Sequence, residues 1–193
     1  MLRDPKWNGK YKGKRMVFWD TTGIKLNTPS YALLQRLTYS AYYAGNVARG
    51  GIFVQLCGWL GTHELYPGAM PDSRYLNETG IFEEQAAFMA GDGGDAFINE
   101  VDRGFRSCLA AWKSGQFILQ PNFMNSDGKF STGEVLRSAS IAADRSGNER
   151  AVRVTKMSAY VKRGMTAHND VERLADVWLG WSFQANFMFR SVM

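Results

Sequence analysis

The chain contains few of the residues that build metal modules and disulfide scaffolds. Its 193 residues include 2 cysteines and 2 histidines, which cannot make a four-ligand zinc site with recognisable spacing. Cys57 and Cys108 lie in apolar stretches and are interpreted as buried thiols. No apolar run reaches membrane-spanning length, and residues 1–14 resemble neither a signal sequence nor a transit helix. These absences argue against a zinc module, a disulfide scaffold and a membrane protein, and predict a soluble intracellular chain.

The composition is that of one folded domain. Apolar residues make up 45% of the chain, aromatic residues 13% and charged residues 21%, without repeats or low-complexity segments. A chain of this length can bury a substantial core in a single domain. We therefore predict a basic lead-in over residues 1–14, followed by one domain over residues 15–193.

The positive charge is concentrated in one segment. The net charge is +5, and residues 145–163 hold six basic residues against the single acidic residue Glu149. A basic stripe suits the phosphate backbone of a nucleic acid, which attracts lysine and arginine regardless of base sequence. The alternative is a solvated helix face with no ligand. The candidate DNA-binding residues of this segment are Arg145, Arg150, Arg153 and Lys156.

Hydrophobic patterns alternate between strands and helices along the chain. An α/β fold follows, with a mixed central sheet flanked by helices, and its order is that of the ribonuclease H-like fold. Ser131 and Glu134 form a capping box that predicts a helix to about Ala143, and Gly115 closes a short helix before the strand QFILQP. The predicted strands are Arg15–Trp19, Ile24–Leu26, the run GGIFVQLCGWLG and Ala96–Val101, and further helices are predicted at Tyr75–Ala90, in the basic segment and at about Asp170–Phe189.

Three acidic residues stand out by their local contexts. Asp20 ends the apolar run MVFWD, Asp102 follows FINEV, and Glu149 lies in RSGNER. Carboxylates that converge from separate elements are what a two-metal phosphodiester-cleaving site requires. Each acid also has an ordinary interpretation: Asp20 as the start of a turn, Asp102 as a helix N-cap, and Glu149 as the partner of an arginine one helical turn away. Asp72 is an alternative acid, although Asp-Ser in its position favours a helix cap or a contact with the substrate.

Longer motifs around these acids resemble the DDE superfamily endonucleases, the catalytic domains of Harbinger-type transposases. The resemblance covers roughly Val17 to Phe189 and is carried by VFWDTTGIKL, YYAGNVARGGIFVQLCGWLG, GAMPDSRYL, VDRGF, QFILQP and RSGNER. The last of these departs from the family pattern, which usually has a hydrophobic residue where this chain has Asn148. If the three acids do not form a metal site, we expect the cause to lie at this position, directly before Glu149.

The resemblance implies a function and a set of roles. Asp20 would bridge two Mg²⁺ or Mn²⁺ ions, and Asp102 and Glu149 would each hold one, so that the domain cleaves DNA phosphodiester bonds and also joins strands when a DNA 3′-hydroxyl attacks. It implies nuclear residence and is compatible with oligomers. The family's N-terminal DNA-reading region is not recognisable here, so a separate DNA-binding partner protein is expected.

Two other hypotheses remain open. One is a catalytically inactive, domesticated remnant of a transposase that binds DNA or protein. The other is an unrelated α/β enzyme whose acidic residues coincide with the motif. His63 and His168 are expected in loops or on faces rather than as bases, because two-metal sites generate their own hydroxide.

Overall fold

The computed structural model describes residues 15–92, 96–105, 109–123, 129–144, 146–158, 161–162 and 171–188. The described residues form a mixed sheet with helices on both faces, so the predicted α/β class with a mixed, helix-flanked sheet is confirmed. The strands are β1 (Arg15–Lys25), β2 (Tyr39–Ser40), β3 (Gly45–Gln55), β4 (Leu60–Pro67), β5 (Phe97–Glu100) and β6 (Phe117–Leu119). The helices are α1 (Ala32–Thr38), α2 (Asp72–Glu78), α3 (Ile81–Asp92), α4 (Leu109–Lys113), α5 (Thr132–Asp144), α6 (Ser146–Thr155) and α7 (Val171–Met188). None of these helices is both long and apolar enough to cross a bilayer.

Strand β1 lies inside the sheet between β3 and β5. It pairs antiparallel with β3 and parallel with β5, while β5 pairs parallel with β6. β4 pairs antiparallel with β3, and the two-residue β2 also pairs with β3. The long β1–β3 pair therefore supports the candidate site.

The two faces of the β1–β3 pair carry separate apolar clusters. On one face, Ile24 and Ile52 pack with Ala151 of α6 and Trp178 of α7. On the other face, Trp19 packs with residues of α2 and α3 that include Tyr75, Leu76 and Phe82. Successive strand residues point to opposite faces, and β1 supplies Ile24 to the first cluster and Val17 and Trp19 to the second.

Three predicted element boundaries are wrong. β1 is one continuous strand, because Thr21 and Thr22 are β-branched and pair with Gly51 and Gly50 instead of forming a turn. The run GGIFVQLCGWLG contains the turn of a hairpin, since β3 ends at Gln55 and β4 begins at Leu60. The predicted helix Tyr75–Ala90 is two helices, separated where Gly80 adopts a φ of 73°.

Other local predictions are confirmed. The capping box forms as expected, because the Ser131 amide donates to Glu134 (2.8 Å) and the Glu134 amide donates to the Ser131 hydroxyl (3.2 Å). α5 follows it to Asp144, and Gly115, with a φ of 68°, follows α4. α7 occupies most of the predicted last helix.

Candidate functional site

Asp20 lies in the interior of β1 rather than at a strand end, which corrects the prediction from the sequence. It pairs with Ile52 of β3, a residue of the cluster beneath α6 and α7, so its side chain lies on that face of the sheet. Asp20 is half-buried, and its Oδ1 accepts a hydrogen bond from the Thr21 amide at 2.8 Å. The acid is therefore presented by a paired strand and not by a turn.

Asp102 follows the neighbouring strand β5, in agreement with the prediction that it lies just beyond a strand. The last parallel pair between β1 and β5 joins Phe18 to Glu100. Asp20 and Asp102 each lie two residues beyond this pair, on neighbouring segments of the chain that run in the same direction. The register therefore brings these two chain positions to the same level of the sheet.

Hydrogen bonds fix the conformation of the chain around Asp102. The Gly104 amide donates to Oδ1 of Asp102, and the side-chain amide of Gln120 donates to the Asp102 carbonyl and to the Phe105 carbonyl (3.2 Å for the latter). The Phe105 amide also donates to the Asp102 carbonyl at 3.2 Å. Asp102 thus closes a turn over residues 102–105.

Glu149 lies in the first turn of α6 and is exposed. Its neighbour Asn148 is buried, and the Asn148 side-chain amide donates to the carbonyl of Trp19 at 3.3 Å. Trp19 directly precedes Asp20, so α6 begins against β1 beside the first acid. The position at which the chain departs from the family pattern is therefore a polar contact between this helix and the sheet.

The basic residues divide between solvent and the site. Arg150 and Arg153 of α6 are exposed, whereas Lys156 is half-buried and directly follows α6, with its amide donating to the Val152 carbonyl at 3.1 Å. Burial lowers the pKa of Lys156, and the nearby charge of Asp20 opposes this effect. Lys156 thus lies close enough to Asp20 to feel its charge, while Arg145 lies outside the described residues.

The described residues do not assemble the predicted three-carboxylate ligand set. Within the ranges that the structure describes, which include the side chains of Asp20, Asp102 and Glu149, no three Asp, Glu, His or Cys side chains group closely enough to hold a metal ion. The strand register places Asp20 and Asp102 at the same level of neighbouring segments, and the exposed Glu149 lies next to Asn148, which contacts β1. Asp20 and Asp102 thus lie on neighbouring segments of the chain, and the third acid, Glu149, lies on helix α6.

A second polar cluster, which the sequence did not predict, lies on the opposite face of β1. Asp72 receives hydrogen bonds from Arg49 of β3 and, at 2.5 Å, from the hydroxyl of Thr21. Arg49 is only 8% exposed and also donates to the Thr21 hydroxyl at 3.3 Å. The expected helix cap is wrong, because Pro71 is the N-cap of α2 and no side chain bonds there. A lone arginine among the small and apolar residues of GNVARGGIFV was the available signal for this cluster.

Gly104 connects the two clusters. A methyl group placed on Gly104 would lie 3.1 Å from Oδ2 of Asp72 and 3.2 Å from Oδ1 of Asp102. Both distances are shorter than ordinary contacts, so the two carboxylates converge on this residue from α2 and from the end of β5. Asp72 and Asp102 therefore lie on either side of Gly104, although the sequence predicted different roles for them.

His63 lies within β4 and is largely buried, in contrast to its expected position in a loop or on a face. Its ring stacks on Tyr66 and meets Tyr75 edge-on, and its Nε2 lies 3.7 Å from Glu84. Burial lowers the pKa of His63 below its ordinary value of 6.5, although Glu84 and Glu64 act in the opposite direction. We interpret it as a core residue, and His168 lies outside the described residues.

Comparisons with known proteins add no family to this description. Neither family models, nor curated proteins, nor solved structures match the chain.

Proposed function

We propose that this domain is a metal-dependent endonuclease of the DDE type, derived from a transposase, that cleaves DNA phosphodiester bonds. The observation that carries the proposal is that Asp20 and Asp102 each lie two residues beyond the last pair of the parallel strands β1 and β5. The strand order β4-β3-β1-β5-β6, with β1 antiparallel to β3 and parallel to β5, supports the proposed ribonuclease H-like arrangement.

The donor chemistry of the acid pair suits Mg²⁺ or Mn²⁺. These cations prefer carboxylate and water oxygens, and Mg²⁺ in particular keeps several waters, so two protein carboxylates make a substantial part of a site. Asp20 and Asp102 would hold the ions, with Glu149 as the third ligand in this proposal. When bound, such ions activate the attacking hydroxyl and stabilise the leaving oxygen.

The chain's own cations would bind and orient the nucleic acid. Lys156 is half-buried near Asp20, where its charge would attract a phosphate that approaches the acid pair. The exposed Arg150 and Arg153 lie on α6, whose first turn contacts β1, and would contact neighbouring phosphates. None of these contacts selects a base sequence, so target choice would come from a separate DNA-binding partner.

A plasmid-nicking assay with Mg²⁺ or Mn²⁺ tests the proposed reaction. We expect nicking by the wild-type chain and its loss in Asp20→Asn, which keeps the side-chain shape but removes the charge that attracts the cation. Asp176→Asn, the same change on an exposed residue of α7, should nick like wild type. Nicking that persists in Asp20→Asn would contradict the proposal.

A second candidate function is DNA binding without cleavage by a domesticated transposase remnant. It is favoured by the lack of a three-ligand group among the described residues. In that case we expect salt-dependent binding to duplex DNA that weakens when Arg150 and Arg153 are changed to Gln, with no metal-dependent nicking. Binding together with nicking that depends on Asp20 would decide for the enzyme.

A further inference from the structure

Polar contacts on the α2 face lead from the middle of β3 towards Asp102. Arg49 donates to Asp72, Thr21 donates to the same Asp72 oxygen, and the other Asp72 oxygen lies 3.1 Å from the position that a Cβ on Gly104 would occupy. The Gly104 amide in turn donates to Asp102. We propose that Arg49 and Asp72 are positioning residues that fix the carboxylate of Asp102, and this inference rests on the proposed function.

The charges explain why two residues are needed. Asp72 and Asp102 are carboxylates on opposite sides of Gly104, and like charges this close repel each other. Arg49, buried in β3, lies on the side of Asp72 and attracts its Oδ1, while Thr21 donates to the same oxygen. These two contacts hold Asp72 beside the turn of residues 102–105 despite its repulsion from Asp102.

The geometry at Gly104 explains how the position of Asp72 reaches Asp102. The two carboxylates border the position of a Cβ at residue 104 so closely, at 3.1 and 3.2 Å, that each would have to shift to admit a methyl group. Gly104 is not among the described glycines with positive φ, so alanine is compatible with its backbone. Gly104→Ala consequently changes the contact between the two acids and introduces no backbone strain.

Amide hydrogen exchange measures this positioning without any need for activity. In Asp72→Asn the partner of Arg49 loses its charge, and in Gly104→Ala the methyl group displaces the two carboxylates. We expect the exchange of the residue-104 amide to accelerate at least about fivefold in both variants, because its hydrogen bond to Asp102 opens more often. In Gly104→Ala, which keeps the Arg49–Asp72 pair, the Gly51 amide, which donates to the hydroxyl of Tyr75 at 2.7 Å, should keep its wild-type rate.

Nicking kinetics provide the second readout. A misplaced acid lowers the rate of the chemical step, so we expect both variants to lose about tenfold or more in kcat with an unchanged KM for plasmid. The matched control is Arg74→Gln, which removes an arginine–carboxylate pair on the same helix, since Arg74 bonds to Glu78 on the exposed surface. It should change neither readout.

The outcomes separate this inference from the proposed function. If the wild-type chain does not nick DNA, the proposed reaction fails, and the amide exchange still decides whether Asp72 fixes the turn. Unchanged exchange at residue 104 in both variants overturns the inference. Equal acceleration at residue 104 and Gly51 in Gly104→Ala also overturns it, because it indicates a general loss of stability. Should Asp72→Asn fail to fold, Gly104→Ala decides alone.

Discussion

The two faces of the β1–β3 pair solve the same packing problem with different chemistry. Gly50 and Gly51 are consecutive residues of β3, and a side chain on Gly50 would collide with Trp178, whereas one on Gly51 would collide with Tyr75. Around Trp178 the contacts are apolar, while close to Tyr75 lies the charged cluster of Arg49 and Asp72. The face covered by α6 and α7 is therefore a core where it meets Trp178, although it also holds Asp20, whereas the other face has a buried charged cluster beside its core.

An irregularity in the β3–β4 pairing serves both faces. The register shifts between Gly50 and Ile52, which is the signature of a β-bulge. Trp178 donates to the His63 carbonyl at 2.8 Å, and the Tyr75 hydroxyl donates to the next carbonyl, that of Glu64, at 3.0 Å. The two aromatic residues thus bind adjacent carbonyls of β4, one from each face. The site therefore lies next to a segment of β4 that is held by hydrogen bonds from both faces of the sheet.

The largest expected effect is on the apolar face. Trp178→Ala removes a fully buried ring and its hydrogen bond, and should lower the free energy of unfolding by about 3–5 kcal/mol. Denaturant unfolding measures this. Trp112→Ala is the matched control, because Trp112 is 87% exposed, and it should leave the unfolding midpoint almost unchanged. A small effect of Trp178→Ala would mean that this face is not the dominant core.

The next effect sharpens the contrast in chemistry. Asp72→Ala leaves the buried Arg49 without its carboxylate partner, and should cost about 3 kcal/mol. The double variant Arg49→Met/Asp72→Leu removes both charges, so it should be more stable than Asp72→Ala, as measured by denaturant unfolding. If the double variant were the less stable of the two, the unpaired charge of Arg49 would not be the cause of the loss in Asp72→Ala.

A smaller effect is expected at the bulge itself. Tyr75→Phe keeps the ring but removes the hydroxyl that accepts from the Gly51 amide and donates to the Glu64 carbonyl. Leaving these buried groups unpaired should cost about 1–3 kcal/mol, with a midpoint shift in thermal or denaturant unfolding. No shift would show that the sheet closes without the tyrosine.

The smallest effect is a pH dependence. The pKa of His63 is lowered in the folded chain by burial, so the unfolded chain takes up a proton first as the pH falls below 6.5. The contribution of neutral His63 to stability is complete above this pH and is lost as the pH falls towards the folded pKa. Unfolding midpoints measured from pH 7.5 to 5 should decline, and His63→Gln should flatten the decline. An unaltered slope in this variant would assign it to other groups.

Local signals in the sequence predicted well wherever a neighbour in the chain decides the structure. The Ser131–Glu134 box spans three residues and formed as expected, and Gly115 follows α4 because it adopts a φ that other residues avoid. The presence of Asp102 just beyond β5 was predicted for the same reason. The predicted turn after Asp20 failed because strand pairing with β3 outweighed the turn preference of Asp-Thr-Thr.

Contacts distant along the chain could not be read in this way. Arg49 and Asp72 are 23 positions apart, and Asn148 reaches the carbonyl of Trp19 across 129 positions. Neither pair has a local pattern, because both depend on which strands become neighbours and on how the helices pack onto them. For the same reason the sequence motifs predicted Asp20, Asp102 and Glu149 as one group, while the structure places Asp72 beside the turn of Asp102.

By itself, the sequence determined an α/β chain with a mixed sheet, several helix ends and the acids that follow or occupy strands, because hydrophobic period and capping act over a few residues. The tertiary structure alone decided that Asp20 lies inside β1, that Arg49 is buried against Asp72, and that two carboxylates meet at Gly104. These features depend on strand register and close packing between distant segments, which set distances that residue types alone leave open.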